Sequence, residues 1–346
     1  PYMRVEEVYK RHNPGFEADF SQRLMWEANR LARSVGEIPV DKIGPQLTEL
    51  IFSGDVRELN DAVTDYLSIK ASVWMLIDNL DKGWPIRGST PTDILIVRSL
   101  LEATRKIQRQ LEHSDVDFHC LVFLRTDIYE HLVALTPDKG KDTAVRLDWD
   151  DTELFGEIVA QRVRTSTGLE GSTRELWGEL CVSHVAAEDT LNYVVERTLM
   201  RPRDLLLFLR KLVEVAVNRG HSRIEVEDIP LAERQYSEDM VLNTAYEIAD
   251  TNPMVADALY AFHGMRPKLS YADVVGLLLN AGIRDEHIDD TLDILLWFGF
   301  LGVATDADEL YSHTVQFNMM RLRRLAGQQS PFVIHPAFRA GLGIGT

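Results

Sequence analysis

The stretch Ala71-Ser72-Val73-Trp74-Met75-Leu76-Ile77-Asp78-Asn79-Leu80-Asp81 joins a short apolar run to two acids at its end. An apolar run that stops at a turn signal is typical of a strand buried on both faces of a parallel sheet. In open α/β sheets the ligand lies just beyond the carboxyl ends of such strands. A carboxylate there, as Asp78 is, can hold Mg²⁺ beside the phosphates of a nucleotide. The alternative is that Asp78 only caps the turn after the strand.

A second apolar run, Phe118 to Leu124, ends in the polar residues Arg125-Thr126-Asp127. Between the two runs, Asp93 to Glu112 has the apolar spacing of an amphipathic helix. The sequence therefore predicts a strand–helix–strand unit with parallel strands. In such a unit, Asp78 and Arg125 follow the carboxyl ends of neighbouring strands at one edge of the sheet.

The third signal is Arg201-Pro202-Arg203, which precedes the apolar stretch Leu205 to Leu209. Proline is favoured in the first turn of a helix. The two arginines would then flank the helix N-terminus, the end that binds anions best. The alternative is that they are surface arginines that pair with nearby acids such as Asp204.

These three elements, in this order, resemble the Walker B, sensor 1 and sensor 2 elements of AAA+ and STAND-type P-loop ATPases, above all the bacterial KAP-like group often found in anti-phage defence loci. The resemblance spans residues 70 to 340. It implies that Asp78 is the Mg²⁺ ligand of Walker B, that Arg125 is the sensor 1 residue, and that Arg201, Pro202 and Arg203 form the sensor 2 or lid element. It further implies ATP and Mg²⁺ as cofactors and an ATPase activity.

The chain departs from this pattern in two ways. It contains no G-x-x-x-x-G-K-[ST] sequence, the loop that cradles nucleotide phosphates. Because the chain begins at Pro1, we expect it to be a C-terminal portion of a longer protein with that loop upstream. The Glu that usually follows the Walker B Asp and orients the attacking water is replaced by Asn79, and Asp81 is the nearest substitute. Slow hydrolysis or a nucleotide-gated switch is as plausible as a fast motor.

Composition limits the remaining choices. A formal net charge of −17 argues against broad electrostatic adhesion to nucleic acid and is compatible with protein partners. The two cysteines, Cys120 and Cys181, are too few for a disulfide framework. No signal peptide or membrane-length apolar run is present, so we expect a soluble cytoplasmic protein without a membrane partner.

The breaks in the sequence predict three domains. Residues 1–150 form the P-loop NTPase core portion, with a helical segment over 1–70 and the Walker B and sensor 1 strands over 71–150. Residues 151–251 form a helical lid. Residues 252–346 form a winged-helix domain, with three short helices and a β-ribbon. The predicted fold class is thus α/β plus α.

The third of these short helices would contact DNA in a DNA-binding winged helix, but it is acidic. It carries five acids and no Lys or Arg: Asp285, Glu286, Asp289, Asp290 and Asp293. These carboxylates would repel phosphates, so a domain that packs on its own ATPase core or on a neighbouring subunit is favoured. The nearby basic cluster is Arg321, Arg323 and Arg324, which we expect to solvate a helix face or pair with acids.

Two functions therefore remain at the level of sequence. The first is a Mg²⁺-dependent ATPase of the STAND/AAA+ kind whose nucleotide state controls assembly, in phage defence, with a homo-oligomer or an effector protein as partner through acidic surfaces. The second is an initiator-like ATPase that loads its winged helix onto DNA.

Overall fold

The computed structural model describes residues 1–12, 54–80, 90–135, 151–326 and 330–345, together with Val145, Leu147 and Trp149. Within these ranges the chain is a mixed α/β structure, mostly helical with small sheets. The predicted combination of α/β and α structure is confirmed at this level. The chain forms two compact units, one from residues 1–82 and 89–139 and the other from residues 83–88 and 140–346.

The first unit contains a strand–helix–strand element preceded by two helices. Its elements are α1 Tyr2–His12, α2 Gly54–Leu67, β1 Val73–Ile77, α3 Pro91–Glu112, β2 Phe118–Val122 and α4 Thr126–Leu135. The predicted helical character of residues 1–70 is confirmed for α1 and α2. The remainder of that segment lies outside the described residues.

The strands β1 and β2 are parallel and aligned over their whole length, from Val73 opposite Phe118 to Ile77 opposite Val122. Helix α3 connects them, and a capping box fixes its start: the Thr90 side chain accepts from the Asp93 N–H, and the Asp93 carboxylate accepts from the Thr90 N–H at 2.8 Å. The predicted strand–helix–strand unit is thus confirmed, although β2 ends at Val122 and not at Leu124.

The expected burial of β1 on both faces is wrong in this structure. On the face that includes Val73, Phe118 and Cys120, the sheet packs against a small cluster with Leu111 and Val116. On the opposite face Trp74 is 59% exposed and Leu76 is 62% exposed. The reason is that the crossover helix α3 covers one face only, and nothing in the described part of the chain covers the other.

The second unit begins with helices and ends with a small sheet. Its first elements are α5 Thr152–Thr167, α6 Thr173–Leu180, β3 His184–Val185, β4 Glu188–Asp189, α7 Thr190–Glu196, α8 Pro202–Asn218 and α9 Ile229–Thr251. Helices α8 and α9 pack against each other: Phe208 stacks on Tyr236 with ring centroids 4.5 Å apart. The prediction that residues 151–251 are helical is confirmed, apart from the short β3–β4 hairpin.

The C-terminal part continues from the same core. Its elements are a 3₁₀ helix Pro253–Phe262, β5 Lys268–Leu269, α10 Tyr271–Asn280, a 3₁₀ turn Asp285–His287, α11 Ile288–Trp297, β6 Leu301–Ala304, β7 Glu309–Leu310, α12 Met319–Ala326, β8 Phe332–Ile334 and α13 Pro336–Arg339. The strands form one antiparallel sheet in the order β5-β8-β6-β7.

Three helical segments followed by a β-ribbon were predicted for residues 252–346, and these elements are present. The first is a 3₁₀ helix, and β5 and α12 were not predicted. Whether the arrangement is a winged helix stays a prediction. One hydrophobic core runs from Phe155 in α5 to Ile344, so the predicted lid and the C-terminal part share buried side chains.

Candidate functional site

Two of the candidate residues lie at one edge of the β1–β2 sheet. Ile77 and Val122 are paired at the carboxyl ends of the two strands, and the Phe123 N–H donates to the Ile77 carbonyl at 2.9 Å. Asp78 directly follows β1, and Arg125 follows β2 after Phe123 and Leu124. The parallel register therefore brings the two residues to the same edge, as the sequence predicts.

Asp78 is exposed and is held by the residue after it. Asn79 has a positive φ of 59°, and its backbone N–H donates to Asp78 Oδ1 at 2.7 Å. A positive φ is uncommon outside glycine, and Asn adopts it more easily than most residues. This bond matches the alternative interpretation of Asp78 as a cap of its own turn, but it uses only one carboxylate oxygen.

The other residues proposed for the first unit contribute less. Arg125 is half-buried, and its carbonyl accepts the Tyr129 N–H at 3.1 Å in the first turn of α4. Asp81 lies outside the described residues. Within the described ranges, no three His, Cys, Asp or Glu side chains are grouped so that they could hold a metal ion. A magnesium ion that keeps water and phosphate ligands needs only one or two protein carboxylates, however.

The arginines of the third signal belong to the second unit. Pro202 is the first residue of α8 and Arg201 is its N-cap residue, with no side-chain cap. Arg203 is exposed, Arg201 is half-buried, and neither forms a salt bridge in the part of the chain that is described. The predicted helix start is thus confirmed, and both guanidinium groups lie in its first turn.

Asp204, the acid next to these arginines, is buried. Its carboxylate accepts the Leu199 N–H at 3.3 Å. Burial raises the pKa of Asp204, while the positive charges of Arg201 and Arg203 act in the opposite direction. The arginines therefore lie close enough to act electrostatically on Asp204, as the alternative interpretation expects, but without a direct ion pair.

The acidic helix α11 is paired with one of the three arginines in the basic cluster. Arg323 of α12 lies 2.7 Å from Asp293 and 3.3 Å from Asp289. This pairing confirms, for Arg323, the expectation that the cluster pairs with acids. Helix α11 itself contains no Lys or Arg, and Arg323 beside it is already paired with its acids. The helix therefore does not present a basic surface to DNA phosphates.

Sequence patterns gave no indication of two further polar clusters in the second unit. In one, Glu233 of α9 accepts from the Tyr193 hydroxyl at 2.5 Å and from Arg197 Nε at 2.9 Å, and all three side chains are largely buried. In the other, Tyr311, His313 and His335 bring their rings together. Each cluster joins two residues close in sequence to a third that is distant, Glu233 in the first and His335 in the second, so no spacing rule could have found the whole cluster.

Comparison with known families matches the helical part of the second unit. Residues 153–245 match the FunZ-associated C-terminal helical domain. This range runs from α5 into α9 and lies inside the segment predicted as the lid. The description of this family does not refer to a P-loop, so the predicted ATPase resemblance stays a prediction.

The chain is also similar to the putative transposon gamma-delta 80.3 kDa protein of Escherichia coli strain K12. The two are 22% identical over 248 residues, which cover 70% of this chain and 34% of that protein. The chain thus spans about a third of the length of the relative it matches. No solved structure matches the chain. No helix in the described ranges is long and apolar enough to cross a membrane.

Proposed function

We propose that this chain is part of a Mg²⁺-dependent ATPase of the STAND/AAA+ kind whose nucleotide state controls assembly. The observation that carries the proposal is the position of Asp78 and Arg125 just beyond the carboxyl ends of two adjacent parallel strands. Ligands of open α/β sheets bind at this edge. A carboxylate and a guanidinium at the same edge would suit a magnesium ion and a phosphate group.

Asp78 is the residue that would hold Mg²⁺. Its carboxylate is exposed, and among the described residues the Asn79 N–H donates to Oδ1 and restrains it. Bound magnesium would neutralise the charge that develops on the transferred phosphoryl group. Asn79 cannot act as a base at neutral pH, so the chain itself offers Asp81 as the residue to orient water. This supports a slow hydrolase or a switch.

Arg125, Arg201 and Arg203 are the residues that would bind the phosphates. Guanidinium groups form paired, charge-assisted hydrogen bonds with phosphate oxygens. Arg201 and Arg203 also flank the N-terminus of a 17-residue helix, where the helix dipole favours anions. A guanidinium that contacts phosphate only in a closed lid would give that closed state higher affinity, which is the requirement for a switch.

The cellular role follows from the resemblance and from the charge of the chain. A net charge of −17 disfavours adhesion to nucleic acid and is compatible with a protein partner, either further copies of the chain or an effector protein. An anti-phage function in the cytoplasm is the setting in which such a module would act. Loss of protection against phage infection in bacteria that express an Asp78→Ala protein would support that setting.

The test of the nucleotide site is Mg²⁺-dependent ATP turnover by the full-length protein. Replacing Asp78 with Ala should lower turnover by about 100-fold or more, because the metal would lose its protein ligand. Asp117→Asn is the matched control: Asp117 precedes β2, at the opposite edge of the same sheet, and it should leave turnover unchanged. Wild-type turnover in Asp78→Ala would refute the metal assignment.

A DNA-loading ATPase is the second candidate, because the name of the E. coli relative associates that protein with a transposon. The acids of α11 and their pairing with Arg323 argue against DNA binding by this helix. A salt titration separates the two candidates. Loading onto DNA requires binding that falls steeply with salt, whereas control of assembly does not.

A further inference from the structure

Two rings that are close in sequence, Tyr311 and His313, meet the ring of the more distant His335 in the second unit. We call these three residues the histidine junction. The Tyr311 and His335 centroids are 4.4 Å apart, edge to face, and the His313 and His335 centroids are 5.6 Å apart. Tyr311 and His335 are buried, and His313 is half-buried. The junction therefore places two imidazole groups side by side away from water.

His335 has a structural role that depends on its protonation state. It is the N-cap residue of α13, and its Nδ1 accepts the Ala337 N–H at 3.1 Å. A neutral imidazole has one nitrogen that can accept, whereas an imidazolium has two donors and no acceptor. Protonation of His335 would thus remove the cap and place a charge at a site that is 2% exposed.

The charged groups around the junction are mostly positive. The charges of Arg197, Arg201 and Arg339 all act on His335, and that of Arg201 acts on His313. Glu309 is the nearby acid, but it already accepts from the Tyr311 hydroxyl at 3.0 Å and pairs with Lys268 and Arg339. A proton on either imidazole would therefore meet repulsion from arginines and little compensation.

The junction connects the C-terminal segment to the remainder of the second unit. The Gly341 N–H donates to Ser237 Oγ of α9 at 2.8 Å, and the His335 N–H donates to the Phe300 carbonyl at 3.0 Å. Leu199, near the start of α8, and Ser312, the neighbour of His313, both lie beside Gly299: a Cβ atom added there would be 3.3 Å from Leu199 Cδ2 and 3.5 Å from Ser312 Oγ. The rings thus lie where residues 330–345, the sheet and the approach to α8 meet.

We propose that the histidine junction is an acid-sensitive latch that holds residues 330–345 in place. The latch is closed while both imidazole groups are neutral and opens when they take up protons. Burial lowers the pKa of His313 to about 4 and that of His335 well below its usual value. The unfolded chain, whose histidines have a pKa of about 6.5, binds these protons at a higher pH than the folded unit does.

The sign of the pH effect follows from this difference. The latch contributes its full stability above about pH 6.5, and that contribution falls as the pH drops towards 4. Glu188 and Asp204, whose pKa values are raised by burial, act in the opposite sense. When the wild-type protein is compared with a variant that keeps both acids, the pH effect of Glu188 and Asp204 is the same in the two proteins and cancels.

The experiment is thermal unfolding of the full chain at pH 7 and pH 5, with His313→Gln and His335→Asn combined in one variant. Asn retains an acceptor for the Ala337 N–H but does not titrate in this range. Between pH 7 and pH 5, the melting temperature of the wild-type protein should fall by about 5 °C or more beyond the fall seen in the double variant. His263→Gln, at an exposed histidine of the same unit, is the control and should behave as wild type. If the melting temperature falls equally in the wild-type protein and in the double variant, the latch proposal is overturned.

Two measurements on the wild-type protein keep the proposal testable if the double variant does not fold. In an NMR titration, the ring signals of His313 and His335 report whether each imidazole is protonated. Rings that stay neutral down to about pH 5 support the proposal, and rings that take up a proton near pH 6.5 overturn it. In hydrogen exchange at pH 5, amides of residues 332–339 should exchange faster, relative to their intrinsic rates, than at pH 7. Unchanged protection of those amides would also overturn it.

Discussion

The parallel pair β1–β2 and the four-stranded C-terminal sheet have similar apolar strands but differ in their surroundings. Within the described residues, one face of the β1–β2 pair is not covered, and Trp74 and Leu76 are more than half exposed. The antiparallel strands β6 and β8 are buried at every position. Parallel sheets are usually covered on both faces, and antiparallel sheets often have one face in water. Here the relation is reversed.

The difference shows that the burial of a sheet face depends on the elements that pack against it and not on the sequence of the strand itself. Leu301, Val303, Phe332 and Ile334 join the main core of the second unit. On the other face, Ala304, Tyr311 and Val333 form a second small cluster. In the described part of the chain, β1 and β2 are covered on one side by α3, the adjoining turn and Leu67 at the end of α2. An apolar strand sequence therefore indicates the capacity for burial, and the elements around it decide how much burial occurs.

The largest effect should come from the buried sheet. Leu301 of β6 is 0% exposed, so Leu301→Ala removes buried methyl groups and leaves a cavity. We expect the free energy of unfolding of the second unit to fall by about 2–5 kcal/mol. Urea denaturation, monitored by the hydrogen exchange of amides in the second unit, would measure this fall in the free energy of unfolding. A loss below about 1 kcal/mol would mean that β6 is not enclosed as described.

A smaller effect is expected at Gly302, the next residue in β6. A Cβ atom there would lie 2.5 Å from two ring carbons of Tyr311 and 2.7 Å from the Leu310 carbonyl oxygen. Gly302→Ala should therefore destabilise the second unit by about 1–3 kcal/mol through overpacking. The same denaturation experiment applies.

Gly178 provides the matched control for this prediction. It lies in helix α6, where an added Cβ would meet no atom within 4 Å. Gly178→Ala should leave stability unchanged or raise it by up to about 1 kcal/mol, since alanine favours the helix. A Gly302→Ala protein as stable as Gly178→Ala would show that β6 and β7 can separate without cost.

The smallest effect is expected on the open face of the parallel pair. Leu76 of β1 is 62% exposed, and Leu76→Ala should change the stability of the first unit by less than about 0.5 kcal/mol. Hydrogen exchange of α3 and β2 amides would report on that unit. If Leu76→Ala destabilises the first unit as much as Leu301→Ala destabilises the second, the difference between the two sheets is wrong, because the face with Trp74 and Leu76 would then be covered in the protein.

Local patterns were sufficient for most of the individual elements. The apolar run at Val73 to Ile77, the helical spacing between Asp93 and Glu112, and the proline at the start of α8 each predicted the element that is observed. These signals work because they depend on residues close in sequence, on periodicity and on capping. Strand β5 and helix α12 were missed because they are short: β5 has two residues and α12 has eight.

The candidate site was predictable only in part. The parallel register that brings Asp78 and Arg125 to one edge follows from the strand–helix–strand order. The turn at Asn79, whose N–H donates to Asp78, agrees with the alternative that Asp78 caps the turn after the strand, but the positive φ of Asn79 is seen only in the structure. Arg201 and Arg203 were placed at a helix start correctly, and an interaction with Asp204 was one of the two sequence interpretations. The electrostatic influence of Arg201 on His313 emerges only from the folded chain.

The sequence by itself therefore determined the elements, their order and the parallel pairing of β1 with β2, because these depend on local propensity and on the connection length. Tertiary structure decided which apolar faces are covered, which acids meet an arginine, as Asp293 and Arg323 do, and which rings come together. Those contacts join residues far apart in the chain. Their energies depend on burial and distance, and only the folded chain fixes both.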